Sequence, residues 1–541
     1  MVADLFPTLL AAGDAAKWYV IRETDPTILV PFFGYMAGVM VIAIVAHRYL
    51  KAADFEDEYY VGGRSFGAWV LAMSWVATLA SGGSFVGYPS RVFTYGWSMA
   101  FWVSGSTVTA IVGLGIVGKR INRLARQTGA LTLVDLLRDR FDSRMAGVVY
   151  ALVIIVVTTV YLIAQFAAGA RILESMLGTS YLMGLILFTV SVVAYTTYGG
   201  FRAVAWTDTM QGIVMIIGIV LLVPLAVNAV GGLENAMVSG PRPLAERVDP
   251  AAEQKGMEQE RHAYLYGPGP QKYKDDLDES SLPEPWLPIS LGLSFFMLCS
   301  LGAVMMPTSV PRMLAFKDTK ALRRALYLLG PYFLLMYGSS LITMNCAHAL
   351  NLGLGPDEAD LAVTELAKRV APMLAGLLIA APFAAVMSTV DSALLVISAA
   401  VVRDLVQKSF APNLKVSTTK TLSYTVTAAA GVVVFFLALQ IKPTFLQPLV
   451  IHYVGASASA LFWPGVATLF WKRTTAAGVV TSMLGGAGIY ILCVFFPPFA
   501  SSFPMKEFVY GFCVSGLLLY FVSRFTPAQN EERLALYFGR D

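Results

Sequence analysis

Long runs of apolar residues recur along the whole sequence, and short polar stretches separate them. A helix needs about 20 apolar residues to cross a bilayer, and thirteen of the runs are close to that length or longer. The pattern predicts an all-α polytopic membrane protein with about 13 transmembrane helices. The predicted spans are residues 28–49, 66–90, 95–117, 145–172, 179–198, 207–230, 287–311, 325–350, 371–402, 419–440, 445–471, 474–497 and 507–525.

The composition agrees with this class of protein. Hydrophobic residues make up 57% of the 541 positions and charged residues only 14%, whereas a soluble protein has about 25% charged residues. All four cysteines lie inside apolar runs, so they indicate no disulfide framework. The sequence lacks the glycine-rich loop of ATP-driven motors and the H-E-x-x-H motif, and its four histidines are scattered. We therefore expect no enzyme, no catalytic or cofactor-binding residue and no nucleic-acid partner.

The distribution of basic residues predicts the orientation in the membrane. The connection GKRINRLARQTGALTLVDLLRDRFDSR, between the third and fourth runs, holds seven Lys and Arg residues. Other loops on the same side are also basic and are expected to be solvated, and Arg312 is among their residues. Cytoplasmic loops carry such an excess. The expected arrangement is a multi-pass protein of the plasma (inner) membrane, with its N terminus outside and its C terminus in the cytoplasm. The long polar connection at 231–286 is expected to be an external loop.

Three hydroxyls and a carboxylate interrupt the ninth run, in the stretch APFAAVMSTVDSALLVISAA. Asp391 and Ser392 follow Ser388 by three and four residues, so the three share one helix face, and Thr389 lies beside it. An ionisable side chain inside a bilayer is costly and has to face a cavity or a partner. Oxygen ligands of this kind suit a hard monovalent cation. Alternatively, the hydroxyls bond to the preceding helical turn and Asp391 caps a kink.

Two other runs contain residues that break helices near their centres. The second run has Ser-Gly-Gly-Ser at 81–84, and the seventh has Pro307 and Pro311. Broken helices five spans apart that run in opposite directions are typical of inverted repeats, with the binding site at the breaks. Close packing through small residues also accounts for the glycines. The predicted units are an N-terminal segment (1–65), repeat 1 (66–230), the external loop (231–286), repeat 2 (287–473) and two peripheral helices with a tail (474–541).

Three separated motifs resemble the sodium/solute symporter family. They are GGRSFGAWVLAMSWVATLASGGSFVGYP, YGGFRAVAWTDTMQG and APFAAVMSTVDSALLVISAAVVRDL, in the order expected for the family. The resemblance implies the leucine-transporter-type fold, with a 5+5 inverted-repeat core, and sodium as the co-transported ion. The implied sodium ligands are the carbonyls of Ala77, Ala80 and Ala385 and the hydroxyls of Ser388 and Thr389. Asp208, Asp391 and Ser392 fall where a second cation would bind, and the number of transported ions stays open.

The substrate is expected beside the two breaks. We find no buried Lys or Arg near mid-membrane that would pair with a carboxylate, so an anionic solute would use a half-helix N terminus and the sodium charge. An interhelical hydrogen bond is an equal explanation for Gln165, the polar residue of the fourth run. The candidate substrate residues are Ser81, Gly82, Gly83, Ser84, Gln165, Ser300, Thr308 and Tyr453.

Together these features predict sodium-coupled symport of a small organic solute by alternating access. Within the family, the resemblance implies pantothenate or a related small carboxylate as the best candidate solute. The sequence leaves open a sodium- or proton-coupled transporter of an amino acid, a monocarboxylate or another solute. It also leaves open a transporter-like solute sensor or a channel. The expected partners are the solute, sodium and the lipid bilayer, and the chain is expected to act as a monomer.

Overall fold

The computed structural model describes residues 29–48, 55–100, 105–238, 289–354, 356–441, 446–496 and 505–539. Most of the predicted external loop, from residue 239 on, lies outside these ranges, as do the first 28 residues. The described residues are almost entirely helical, and the one β-bridge among them joins Phe66 to Phe316.

Each of the thirteen predicted spans forms a helix or an interrupted helix within the described residues, and we number them α1 to α13. Their bounds are Leu29–His47 (α1), Ala68–Leu79 with Gly83–Thr94 (α2), Ser106–Thr109 with Ala110–Gly118 and Lys119–Thr128 (α3), Arg144–Leu177 (α4), the two halves 181–199 (α5) and 201–229 (α6) of Tyr181–Ala229, Ile289–Met297 with Leu298–Gly302 and Val310–Ala315 (α7), Thr319–Ala349 (α8), Ala375–Ser398 with Ala399–Phe410 (α9), Val416–Ile441 (α10), Leu446–Ser457 with Ala458–Phe462 and Trp463–Phe470 (α11), Ala476–Phe495 (α12) and Glu507–Phe525 (α13). The short connecting helices are Phe55–Val61, Leu133–Phe141, Leu233–Val238, Ala362–Val370 and Glu531–Phe538.

Length and composition support all of these spans except α3 and α7, which are interrupted. Among the described residues, nine helices are long and apolar enough to cross a membrane, and the bent α2 is the tenth. One of the nine is Tyr181–Ala229, which contains two spans because its backbone breaks at Gly200. The interrupted helices α3 and α7 complete the thirteen.

The two broken helices are those that the sequence indicates. The halves of α2 meet at an angle of 61°. Helix α7 is interrupted between Gly302 and Val310, around Pro307. Beside them, α9 is the most enclosed span: 83% of its apolar stretch is buried, compared with 28% in α1 and in α10. The polar residues of α9 therefore face protein rather than lipid.

Gly200 forms the turn between α5 and α6. Its φ of 63° and ψ of −175° lie in a region that is accessible essentially only to glycine. A Cβ atom there would also lie 2.7 Å from Cδ2 of Tyr59. Glycine is therefore required at this position for both backbone and packing reasons.

We expect Gly200→Ala to lower stability by about 1–3 kcal/mol, the usual cost of a strained backbone conformation. The measurement is the apparent melting temperature of the purified protein in detergent. Gly488→Ala in α12 is the matched control, because a Cβ atom at Gly488 would meet no atom within 4 Å and alanine favours a helix over glycine. Equal melting temperatures for the two variants would contradict the assignment.

Candidate functional site

The backbone of α2 unwinds between its two halves and closes on itself. The first half of α2 ends at Leu79, and Ala80 leaves helical geometry with a ψ of 63°. The carbonyl of Ser81 then accepts hydrogen bonds from the amides of Ser84 (2.8 Å) and Phe85 (3.0 Å). Its hydroxyl accepts a third from the amide of Gly83, at 3.0 Å. The break is thus an ordered turn rather than a loose loop.

Gln165 of α4 fixes this turn from the side. Its Oε1 accepts a hydrogen bond from the amide of Gly82, at 2.9 Å. A Cβ atom at Gly82 would lie 2.8 Å from that same oxygen, so the close approach requires glycine. The side chain of Gln165 is fully buried, and its Nε2 has no hydrogen-bond partner among the described residues. A buried donor is therefore left beside the unwound segment.

Four of the five predicted sodium ligands meet where α9 crosses the first half of α2. The hydroxyl of Ser388 donates to the carbonyl of Ala77 at 2.7 Å and to that of Ala385 at 3.0 Å. The hydroxyl of Thr389 donates to the same Ala385 carbonyl at 2.9 Å. The fifth residue, Ala80, lies at the end of that half of α2. All five residues are fully buried.

This oxygen group suits a monovalent cation. Two hydroxyls and two carbonyls already lie within hydrogen-bond distance of one another, and none of them carries a formal charge. Hydroxyls can turn their protons away and present lone pairs to an ion. Hard cations prefer such oxygen ligands.

A buried ion pair lies next to the oxygen group. Nη2 of Arg312, in the second half of α7, donates to Oδ2 of Asp208 at 2.7 Å and to the hydroxyl of Ser392 at 2.6 Å. The hydroxyl of Ser74 donates to the same Asp208 oxygen at 2.6 Å. The hydroxyl of Ser392 in turn donates to the carbonyl of Ser388, at 2.9 Å. The ion pair therefore ties α2, α6, α7 and α9 together beside the oxygen group.

Arg312 corrects one sequence inference. The sequence places it among the basic residues of a solvated loop and offers no buried cation for a carboxylate. The structure buries its side chain completely, over the ring of Phe201 at 5.1 Å from the ring centre. The burial is tolerated because the guanidinium is hydrogen-bonded on every nitrogen, including Nη1 to the carbonyl of Thr308 at 2.9 Å.

The three residues predicted for a second cation divide into two groups. Asp208 and Ser392 are joined through Arg312. Asp391 instead accepts hydrogen bonds from the hydroxyls of Tyr195 (2.5 Å) and Thr196 (2.6 Å) of α5. Asp391 is therefore hydrogen-bonded to α5, whereas Ser392 is hydrogen-bonded to Arg312 of the ion pair.

The break in α7 faces α11 and α4. The hydroxyls of Thr308 and Tyr453 are 3.1 Å apart. The ring of Tyr453 stacks on that of Tyr161 of α4, with ring centres 4.0 Å apart. Ser300 is not part of this group, since its hydroxyl donates to the carbonyl of Met297 in its own helix. Ser84 faces α8, with its hydroxyl 3.1 Å from that of Tyr337.

Sequence reasoning overlooked Tyr161, although a signal for it was present. Thr158, Tyr161 and Gln165 are spaced by three and four residues along α4, so they form one polar stripe in an otherwise apolar helix. Tyr161 thus stacks on Tyr453 from the same stripe of α4 that carries Gln165, so it belongs to the group of residues between the two breaks.

Two broken helices with an oxygen-rich group beside one break are the architecture of an ion-coupled membrane transporter. The chain matches the model of the sodium:solute symporter family over residues 59–486. It belongs to that family.

Individual relatives agree with this assignment. The sodium/pantothenate symporter of Escherichia coli (strain K12) is 32% identical over 469 residues, which is 86% of this chain and 89% of the relative. The osmoregulated proline transporter of Bacillus subtilis (strain 168) is 27% identical, over 92% of this chain and 96% of the relative. Among solved structures, a sodium-coupled sialic acid symporter shares the fold with a TM-score of 0.73 and 18% identity, over 94% of this chain and all of that one.

These findings confirm the fold class, the family and sodium co-transport that the sequence predicts. The relatives are transporters, and the many apolar helices agree with a multi-pass membrane protein. The orientation, the boundaries of the repeats and the individual ligand residues stay predictions.

Proposed function

We propose that this protein carries pantothenate, or a closely related small carboxylate, into the cell together with sodium by alternating access. The observation that carries the proposal is the hydrogen-bonded oxygen group that joins Ser388 of α9 to Ala77, three residues before the break in α2. An ion bound there would hold the unwound turn and so favour solute binding, which is a reciprocal coupling between two sites. The relatives of Escherichia coli and Haemophilus influenzae that are named sodium/pantothenate symporters support the choice of solute.

We place the sodium ion between the first half of α2 and α9. Its ligands would be the carbonyls of Ala77, Ala80 and Ala385 and the hydroxyls of Ser388 and Thr389. The geometry supports this set because each hydroxyl now donates to one of the carbonyls. A cation that entered the group would replace those hydrogen bonds with ion–oxygen contacts.

We place the solute on the other side of the turn, against α4, α7 and α11. Arg312 is engaged by Asp208 and gives no free cation for a carboxylate. The anion would instead meet the donor Nε2 of Gln165, the positive dipole end of the second half of α2 and the nearby sodium charge. The amides of the turn are already hydrogen-bonded within the protein. Thr308, Tyr161 and Tyr453 would bound the rest of the solute. Ser81, Gly82, Gly83 and Ser84 form the turn itself.

We propose one sodium ion per transport cycle. The guanidinium of Arg312 lies within hydrogen-bond distance of both Asp208 and Ser392, where a second cation was predicted. It already neutralises the carboxylate that such an ion would need. A Hill coefficient near one for sodium-dependent uptake is expected, and a value near two would return Asp208 and Ser392 to an ion-binding role.

Gln165→Leu tests the substrate site. The variant removes the donor that we assign to the solute carboxylate, and a hydrogen bond to a charged group is worth about 1.5–3 kcal/mol. We expect the KM for pantothenate to rise by about tenfold or more, because 1.4 kcal/mol corresponds to a factor of ten. Gln165→Glu keeps the acceptor for Gly82 but adds a negative charge, so it should weaken uptake further. If the KM is unchanged in both variants, Gln165 does not bind the solute and only holds the turn in α2.

The test of the whole proposal is uptake of radiolabelled pantothenate into proteoliposomes. An inward sodium gradient should drive accumulation, and an inward proton gradient alone should not. Proline, short monocarboxylates and neutral solutes serve as competitors, because the proline transporters among the relatives make an amino acid the second candidate. Sodium-driven uptake of a competitor without uptake of pantothenate would keep the symporter and reject the solute.

A further inference from the structure

A cavity of about 50 Å³ extends from the break in α7, and none of the candidate substrate residues lines it. It is bounded by the second half of α7, the last turns of α9, the start of α4 and the segment that leads into the helix Leu133–Phe141. Its walls are mostly apolar, and its volume accommodates about three water molecules. The side chains that bring oxygen to it are Asp404, Tyr150, Thr132 and Tyr60.

Asp404 carries a carboxylate that has no ion-pair partner among the described residues. Its side chain is buried, and its Oδ1 accepts a hydrogen bond from the hydroxyl of Thr132 at 2.8 Å. The neighbouring Arg403 is engaged by Asp135, at 2.8 Å, and by Glu56. Arg138 donates to the backbone carbonyl of Asp404 rather than to its carboxylate, at 2.9 Å. An ionised carboxylate buried in this position is costly unless it takes up a proton or a cation joins it.

Tyr150 adds a second, independent indication of a ligand. Its side chain is only 1% exposed, and its hydroxyl has no hydrogen-bond partner in the part of the chain that the structure describes. Tyr60 also lines the cavity, but its hydroxyl is engaged by that of Ser423 at 2.8 Å. The unpartnered hydroxyl at the cavity is thus that of Tyr150. Asp404 and Thr132 add oxygen atoms that are hydrogen-bonded to each other, and the Thr132 hydroxyl also accepts from the amide of Asp135.

The cavity lies between the break in α7 and the C-terminal turns of α9. Asp404 is 16 residues after Ser388 on the same helix, which is about 24 Å at 1.5 Å per residue. The cavity lining begins at Met305 and Pro307, in the break of α7, and Leu395 and Ala399 of α9 line it on the way to Asp404. On the proposed orientation this is the cytoplasmic end of α9. An ion leaving the oxygen group would pass these residues once α7 and α9 separate.

We propose that this cavity is a transit site at which sodium is held by Asp404, Tyr150 and Thr132 before it enters the cytoplasm. The inference rests on the proposed orientation and direction of transport, but not on the identity of the solute. The carboxylate supplies the charge that the uncharged oxygen group lacks, so it lowers the cost of drawing the ion out of that group. Carboxylate and hydroxyl oxygens are the ligands that a hard cation prefers.

Asp404→Asn is the first test, because it keeps the side-chain size and the acceptor for Thr132 while it removes the charge. Uptake is measured in proteoliposomes at fixed outer sodium and increasing inner sodium. The inner sodium concentration that halves uptake should rise by about tenfold, and the outer concentration that gives half-maximal uptake should change by less than about twofold, since a charge-assisted contact of 1.4 kcal/mol corresponds to tenfold. Tyr150→Phe should shift the inner value in the same direction.

Tyr60→Phe is the matched control for Tyr150→Phe, because it removes a cavity hydroxyl that is already engaged elsewhere. It should leave the inner sodium dependence unchanged. If Asp404→Asn does not fold, this pair of tyrosine variants decides the question. The same inner sodium dependence in wild type, Asp404→Asn and Tyr150→Phe would overturn the transit site. Equal shifts in the inner sodium concentration that halves uptake and in the outer concentration that gives half-maximal uptake would also overturn it.

A sodium-only measurement separates this proposal from the choice of solute. In the double variant Ser388→Ala with Thr389→Ala, equilibrium binding of radioactive sodium is measured at concentrations that saturate the wild type but are too low to fill the weakened main site. A residual site should remain under these conditions. Adding Asp404→Asn should abolish that residual binding. If wild type fails to transport pantothenate but the residual site is lost with Asp404, the solute assignment is wrong and the transit site stands. Residual binding that survives Asp404→Asn would overturn the transit site.

Discussion

Replacing Ser388 and Thr389 by alanine should raise the sodium concentration needed for half-maximal uptake by about 100-fold. Each substitution removes one of the two hydroxyl ligands that we assign to the ion, while the carbonyls of Ala77 and Ala385 stay in place. A contact to a charged group is worth about 1.5–3 kcal/mol, and each 1.4 kcal/mol is a factor of ten. The maximal rate at saturating sodium should fall much less, because neither hydroxyl contacts the solute.

The control for this prediction is Ser398→Ala. Ser398 is a buried hydroxyl on the same helix, and it donates to the carbonyl of Ser423 of α10 at 3.1 Å. Its loss should leave sodium dependence as in wild type. The measurement is initial uptake over a wide range of sodium concentrations. If the double variant keeps the sodium dependence of the wild type, the sodium ion does not bind at Ser388 and Thr389.

Arg312→Gln should have the second largest effect, on folding as well as on transport. It leaves the fully buried carboxylate of Asp208 without its cation, and breaking a buried ion pair in this way costs about 3–5 kcal/mol. The expected result is a strong loss of folded protein in the membrane and a marked fall in the apparent melting temperature. Uptake by the remaining protein should be low, because the contacts among α2, α6, α7 and α9 are lost.

The double variant Arg312→Gln with Asp208→Asn distinguishes the cost of the orphaned charge from that of lost packing. With the carboxylate gone, much of the lost stability should return, although the ties to Ser74 and Ser392 stay weakened. Arg324→Gln in α8, which is exposed, is the control and should behave as wild type. If Arg312→Gln alone keeps full stability, then the ion pair is not the structural tie described above.

Much of the fold was predictable, because it depends on signals that lie within short stretches of sequence. The glycines at 82 and 83 and Pro307 mark the breaks in α2 and α7, since both residue types are poor in helix interiors. The hydroxyls of Ser388 and Thr389 stand out because they interrupt an apolar run. Gly200 ends one span where the Tyr-Gly-Gly motif was expected to end it.

Contacts between distant residues were not predictable in the same way. Arg312 looked solvated because basic residues at the ends of spans usually are. Its burial depends on Asp208, 104 positions earlier. Asp391 follows Ser388 by three residues, which places both near one face of α9. Because α9 is enclosed on nearly all sides, however, adjacent parts of its surface contact different helices. Three residues along a helix are a rotation of about 300°, which here leads the carboxylate to α5 rather than to α2.

The most direct test of the account is equilibrium binding of radioactive sodium and of radiolabelled pantothenate to the same purified protein. If sodium bound at Ser388 holds the turn that receives the solute, then pantothenate must raise the affinity for sodium by the same factor as sodium raises the affinity for pantothenate. The factor expected for such coupling is about 5–150. At sodium concentrations that saturate the wild type, the double variant Ser388→Ala with Thr389→Ala should show no coupling while it retains weak pantothenate binding. Sodium and pantothenate that bind independently, or pantothenate binding that responds to protons and not to sodium, would contradict the account.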